Sequence, residues 1–228
     1  MTRDEPSRLL DRVSAILDAL GDDDRGLGIT ELAARAHLPK STVSRLVSGL
    51  VRHHYLERDG AAVHLGLRVF ELGQLAERPG RLRRAAIPVM TRLHRLTGGT
   101  VLLDLRDGAD LVCIAAVRGW GADGSAARIG ARTALAGSAA DGVLLAGAAV
   151  TSSMLPPIAG EGRADRPAGI RFAAPVAAHG PVEAVLSLMV PADAHDAEDT
   201  VRAAAREAAQ RLADLPAGPP AVRARGSG

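Results

Sequence analysis

The segment from Thr30 to Leu65 constrains the fold most, because its pattern admits two short helices, a tight turn and a hairpin in close succession. Residues 39–53 place Val43, Leu46, Val47, Leu50 and Val51 at i, i+3, i+4, i+7 and i+8, the spacing of one buried helix stripe. Ser41, Arg45, Ser48 and Arg52 then fall on the opposite side, flanked by Thr42 and Ser44. Just upstream, ELAARAH follows Thr30 and predicts a helix with Leu32, Ala33 and Ala36 inward, and LPK interrupts it. Pro39 suits the first turn of the next helix, where a missing N–H leaves nothing unpaired. Two helices joined by a three- or four-residue turn, the second outwardly polar and basic, have the form that enters a DNA major groove. The run YLERDGAAVHL predicts a hairpin wing, with Asp59-Gly60 supplying residues that tolerate positive φ.

The charge distribution agrees with that reading better than the total does. A net charge of +2 over 228 residues is too small to imply nucleic acid. Between Arg35 and Arg68, however, Arg35, Lys40, Arg45, Arg52, Arg58 and Arg68 face only Glu57 and Asp59. His37, His53, His54 and His64 lie in the same stretch, and Asp22, Asp23 and Asp24 form an acidic loop upstream. Aromatic residues make up 2% of the chain, so its core has to be built from Leu, Val, Ile and Ala. A single cysteine, Cys113, suits a reducing compartment. The first 20 residues lack an apolar signal core, and no charge-free run reaches the length of a membrane span. A soluble, cytoplasmic protein is expected.

Further elements follow from periodicity. Residues 7–20 carry Leu9, Leu10, Val13, Ile16, Leu17 and Leu20 at helical spacing, with Ser7 as cap. LRVFELGQLAE, residues 67–77, reads as a linker helix apolar on more than one side and packed on a partner chain, ended by Arg78-Pro79-Gly80. A helix over 81–97 is predicted to be kinked or divided at Pro88. Two hairpins are expected, TVLLDLR with DLVCIAAV turning at Asp107-Gly108, and IRFAAPVAA with VEAVLSLMV turning at His179-Gly180. A helix near 138–148 lies between them, and a last one spans 196–213. The fold class is α+β. The expected domains are 1–66, a winged helix-turn-helix; 67–80, a linker helix; 81–215, an antiparallel-sheet domain with helices; and 216–228, a disordered tail.

ITELAARAHLPKSTVSRLVSGLVRHHYLERDGAAVHLGLRVFELG resembles the DNA-binding half of IclR-type transcription regulators. DLRDGADLVCIAAV, RIGARTALAGSAADGVLLA and GIRFAAPVAAHGPVEAVLSLMVPA resemble that family's GAF-like effector domain. The resemblance implies a dimer or dimer of dimers on a palindromic operator, acting as repressor or activator, with a small-molecule effector and no cofactor. Ser41, Thr42 and Arg45, near the amino terminus of the second helix, are the candidates for base edges, with Ser44 and Ser48 on the same surface; Lys40, Arg52 and Arg58 suit phosphates. The effector candidates are Gly137, Ser138, Ala139, Asp141, Phe172, Ser187 and Met189.

Departures from the family pattern bear on that effector. Residues 147–169 are fewer than usual, which implies a lost part of the pocket wall with its acidic residue. Phe172 stands for the usual Cys and Met189 for a small polar residue, while Ser187 matches. Ala136 replaces His, Asp141 replaces Gly and Gly142 replaces Lys. Phe and Met supply no hydrogen-bond donor, so a predominantly apolar effector is expected, with Ser138 and the following amides orienting one polar end. A second domain used only for assembly is the alternative; an enzyme built on Ser138, His94 or Cys113 has no relay spacing behind it. Gly119 to Gly124 spell GxGxxG without a helix to receive a pyrophosphate, and Trp120 there is a candidate lid or subunit contact. No metal site is expected, since the histidines lack paired helical spacing.

Overall fold

Ile16, Leu20, Leu27, Leu32, Val43, Val47, Leu56 and Val63 meet in one buried cluster, which joins the helices to the hairpin. The computed structural model describes residues 5–21, 25–120, 128–144, 150–155, 169–177, 182, 184–194 and 197–215. The chain divides into two units, Met1–Ala76 and Glu77–Gly228. Asp22–Asp24, the Gly121–Gly124 stretch, the His179-Gly180 turn, residues 145–149 and the 216–228 tail lie outside the described residues.

The first unit contains α1 (Glu5–Gly21), β1 (Leu27–Gly28), α2 (Ile29–Arg35), α3 (Lys40–Arg52), β2 (Leu56–Asp59), β3 (Ala62–Leu65) and α4 (Leu67–Gln74). Its three strands are ordered β1-β3-β2 and pair antiparallel. Helix starts differ slightly from expectation. Ser7 and Thr30 fall inside α1 and α2, Gly28 caps α2, and Pro39 is the residue before α3 rather than its first turn. The turn between α2 and α3 closes through His37, whose φ of 52° is left-handed. Gly60, at φ 56°, opens the two-residue loop of the wing, because Asp59 already pairs with Ala62. The tetrapeptide Arg-Asp-Gly-Ala that makes this turn recurs at Arg106–Ala109, where Gly108 has φ 64° and Asp107 pairs with Asp110.

The second unit contains α5 (Glu77–Thr97), β4 (Thr100–Asp107), β5 (Asp110–Val117), β6 (Arg132–Ala134), α6 (Ala139–Leu144), β7 (Thr151–Leu155), β8 (Gly169–Val176), β9 (Ala184–Pro191) and α7 (Ala197–Asp214). Arg78-Pro79-Gly80 does not end the linker helix. The break falls at Leu75–Ala76, and Pro79 sits in the first turn of α5, where it removes no helix bond. Pro88 does not divide α5 either. The antiparallel sheet runs β6-β5-β4-β9-β8-β7, so two edge strands, β6 and β7, extend the two expected hairpins. β7 occupies part of the 147–169 stretch that the sequence reading treated as lost wall.

Both faces of this sheet are covered. Val101, Leu103, Phe172, Ala174, Leu186 and Leu188 pack with Leu82, Val89 and Leu93 of α5 and Val201, Ala205 and Ala208 of α7. Leu111, Ala173 and Val185 point the other way and pack with Ala139, Ala140 and Val143 of α6. In β5 an extra residue opposite the Leu103–Asp104 step forms a bulge, and Asp104 pairs with Cys113 beyond it.

The junction between wing and α4 is tight in the first unit. A Cβ on Gly66 would lie 2.3 Å from the His54 carbonyl oxygen, while the Gly66 amide donates to Tyr55 at 2.8 Å. Gly66→Ala should therefore cost about 1–3 kcal/mol of stability. An unchanged urea midpoint for this unit would contradict that contact.

Candidate nucleic-acid interface and effector face

Val43 and Val47 anchor α3 in the core, and that fixes which side of the helix faces out. Lys40, Ser41, Ser44, Arg45, Ser48 and Arg52 are exposed, and Thr42 is half-buried. Arg58 is exposed on β2 of the wing. None of Lys40, Arg45, Arg52 and Arg58 has an ion-pair partner among the described residues, whereas Arg35 pairs with Glu31 at 2.6 Å and Arg68 with Glu71 at 2.9 Å. Ser48 donates to the Ser44 carbonyl at 2.9 Å, which ties its hydroxyl to the helix.

α4 has no buried residue. Leu67, Phe70 and Leu75 are 65%, 62% and 78% exposed, and Leu65, Leu67 and Phe70 line an open apolar groove. The expected apolar surface is present on this helix.

The effector candidates divide between two faces of the sheet. Ser187 and Met189 are buried on the α6 side with Leu102 and Cys113, and Ala139 packs under α6. Phe172 lies on the opposite face, in the core with α5 and α7. Alternation along β8 sends Arg171 to the α6 side in its place. Gly137, at φ 73°, and Ser138 form the turn into α6. The Ser138 hydroxyl donates to Leu135 at 2.7 Å, and the Asp141 carboxylate accepts from the Gly137 amide at 3.0 Å. Asp141 therefore places negative charge at the start of α6, where the sequence reading put the polar end of an effector.

Sequence reasoning missed Asp104 and Arg171. Asp104 is buried on the same face as Cys113 and Ser187, and the Cys113 thiol donates to the Ala115 carbonyl at 3.4 Å. Burial pushes its carboxyl up from the ordinary carboxylate range, against the lowering pull of Arg171, Cys113 and Ser187. An Arg171 Nη lies 3.9 Å from Asp104, and the Arg171 side chain is 14% exposed. Burial, reinforced by the Asp104 charge, pushes the Cys113 thiol up to about 12. This face mixes the apolar Leu102, Leu111, Val185 and Met189 with Asp104, Ser187 and Arg171, and Phe172, expected to border the effector, lies on the other face. Gly119 and Trp120 belong to the same end of the sheet: the Gly119 amide donates to Thr100 at 2.9 Å, and Trp120 pairs with Gly99. The Trp120 ring lies where a Cβ on Gly169 would be, 2.1 Å from Cη2.

The IclR helix-turn-helix domain matches residues 9–60, the stretch that contains α2, α3 and the first strand of the wing. The first unit thus carries an IclR-type helix-turn-helix domain. The chain is 36% identical over 137 residues to the HTH-type transcriptional regulator KdgR of Escherichia coli, covering 59% of this chain and 52% of that protein. It is 35% identical over 94 residues to KipR, an HTH-type transcriptional regulator of Bacillus subtilis, covering 41% and 38%. The chain spans about half or less of these curated relatives. Its fold is similar to that of an IclR homologue from Microbacterium hydrocarbonoxydans solved with 4-hydroxybenzoate, with a TM-score of 0.72 at 22% identity over 90% of this chain and 98% of that one. An IclR regulator from Alicyclobacillus acidocaldarius gives 0.67 at 18% identity, covering 89% and 97%. No helix among the described residues is long and apolar enough to cross a membrane.

In the second unit the side-chain directions in β8 and β5 have measurable consequences. Phe172→Ala removes a buried ring from the α5/α7 core and should cost about 3–5 kcal/mol in denaturant unfolding. A loss below 1 kcal/mol would place the ring outside that core. Cys113, protonated at pH 8, should resist iodoacetamide in the native protein and react only as the domain unfolds; rapid stoichiometric labelling without unfolding would refute this.

Proposed function

We propose that this chain is a sequence-specific DNA-binding transcription regulator whose operator contacts come from α3 and the wing and whose second unit takes a small-molecule effector on the α6 face of its sheet. The observation that carries the reading is the outward face of α3, hydroxyl-bearing and cationic, without internal ion pairs among the described residues, within a matched IclR helix-turn-helix domain. The regulators KdgR and KipR support it by kind. Ser41, Thr42 and Arg45 read base edges, with Ser44 beside them; Lys40, Arg52 and Arg58 hold phosphates.

Two copies associate through the exposed Leu67 and Phe70 of α4 and Leu75 at its carboxy-terminal cap, which presents two α3 helices to an inverted repeat with half-sites about one helical turn apart. The neighbour solved with 4-hydroxybenzoate supports a small organic ligand in the second unit. Ser187, Met189 and the residues around α6 form that region. The reading places the protein in the cytoplasm with DNA as its macromolecular partner.

Genomic selection of bound sequences followed by binding titrations tests the reading. Arg45→Ala should lose about 1–3 kcal/mol on the selected operator and relax its preference at one position. Arg52→Ala should weaken all sequences alike and lower the salt slope by about one. Selection of no sequence, or an Arg45→Ala variant with unaltered affinity and preference, would overturn the assignment of α3.

A further inference from the structure

Arg35, Arg68, Arg202 and Arg211 are each neutralised by an acid three or four residues away on their own helix. α5 is built differently. It carries Arg78, Arg81, Arg83, Arg84, Arg92 and Arg95 against the single acid Glu77, an excess larger than the +2 of the whole chain. A turn of about 100° per residue brings Arg81, Arg84 and Arg95 to one side of the helix, away from Leu82, Val89 and Leu93 in the core. Arg84 and Arg95 are exposed, and Arg81 is half-buried with an Nε that lacks a hydrogen-bond partner. None of the three has an ion-pair partner among the described residues, while Arg92 beside them is held by Glu207 of α7. Arg81 with Arg84, and Arg92 with Arg95, are like charges one turn apart, which opposes helix stability and which an external anion relieves.

We propose that this face of α5 is a second DNA-contacting surface, on which Arg81, Arg84 and Arg95 lie against the phosphate backbone and add affinity without sequence preference. The inference rests on the reading of the chain as a DNA-binding regulator. At about 1.5 Å per residue the three arginines span about 21 Å of helix. A duplex carries about one charge per 1.7 Å of its axis, so a straight row of cations meets phosphates along its whole length without a shaped pocket. A compact anion engages only one end of such a row. The chain also supplies a tether. Arg81 and Arg84 follow Ala76, the last residue of the first unit, by five and eight residues, so DNA held by the helix-turn-helix is at high effective concentration for them.

Fluorescence anisotropy of the full chain on the selected operator and on a random-sequence duplex, each across a salt series, tests this. Arg84→Gln combined with Arg95→Gln should lower the slope of log affinity against log salt by about two per protomer on both duplexes. The ratio of the two affinities should stay as in the wild type. Arg106→Gln combined with Arg206→Gln removes the same charge from exposed positions outside α5 and should leave the slope at its wild-type value. An unchanged slope in the α5 variant, or an equal fall in the control, would overturn the contact. An altered affinity ratio in the α5 variant would overturn its assignment to phosphates, and loss of binding to an acidic protein with the DNA slope unmoved would give the face to that partner instead. If Arg52→Ala lowers the slope and the α5 variant does not, this inference alone falls; if the wild type shows neither operator preference nor a salt slope, the regulator reading falls with it.

Discussion

The second unit depends on a sheet buried on both faces. Because successive side chains of a strand point to opposite sides, each residue of β4, β8 and β9 belongs either to the α5/α7 core or to the α6 side. The first side is uniformly apolar and supplies the main burial. The second mixes Leu111, Ala173 and Val185 with Asp104, Arg171 and Ser187, and water does not reach these polar groups freely. Their arrangement therefore depends on charge and polar pairing as well as on packing.

The first unit follows a simpler constraint. Val43 and Val47 fix the rotation of α3, and the left-handed His37 fixes how the chain enters it. A residue other than glycine at such a φ is uncommon, and the buried cluster on either side holds it there. Presentation of Arg45 to solvent is thus a result of core packing two positions away on either side, and Arg52 follows on the same helix.

Much of this was legible in the sequence. The helices of both units and the Gly60 and Gly108 turns follow from periodicity and turn chemistry, which are local signals. What failed was nonlocal. β6 and β7 are short edge strands without a strong alternation of their own, and pairing with β5 and β8 makes them strands. Pro79 carried a helix-stopping signal that is equally a helix-starting one, and the position of the break decides between them. Phe172 and Arg171 illustrate the same point within β8. A one-residue difference in strand register exchanges the two sides of the sheet, and nothing within GIRFAAPV says which side holds α6. Asp104 in TVLLDLR reads as a solvent-facing residue unless both faces are known to be covered; the nearly unbroken apolar run of β9 was the available hint.

The position of Trp120 gives this protein an internal optical probe. It is the only tryptophan in the chain, and there is a single tyrosine, so intrinsic emission excited at the red edge of absorption comes from one indole. That indole rests on β8 beside Gly169, near Arg171 and Met189, and its fluorescence therefore reads the environment of one end of the sheet, unmixed with signals from the helix-turn-helix or from the α5/α7 core.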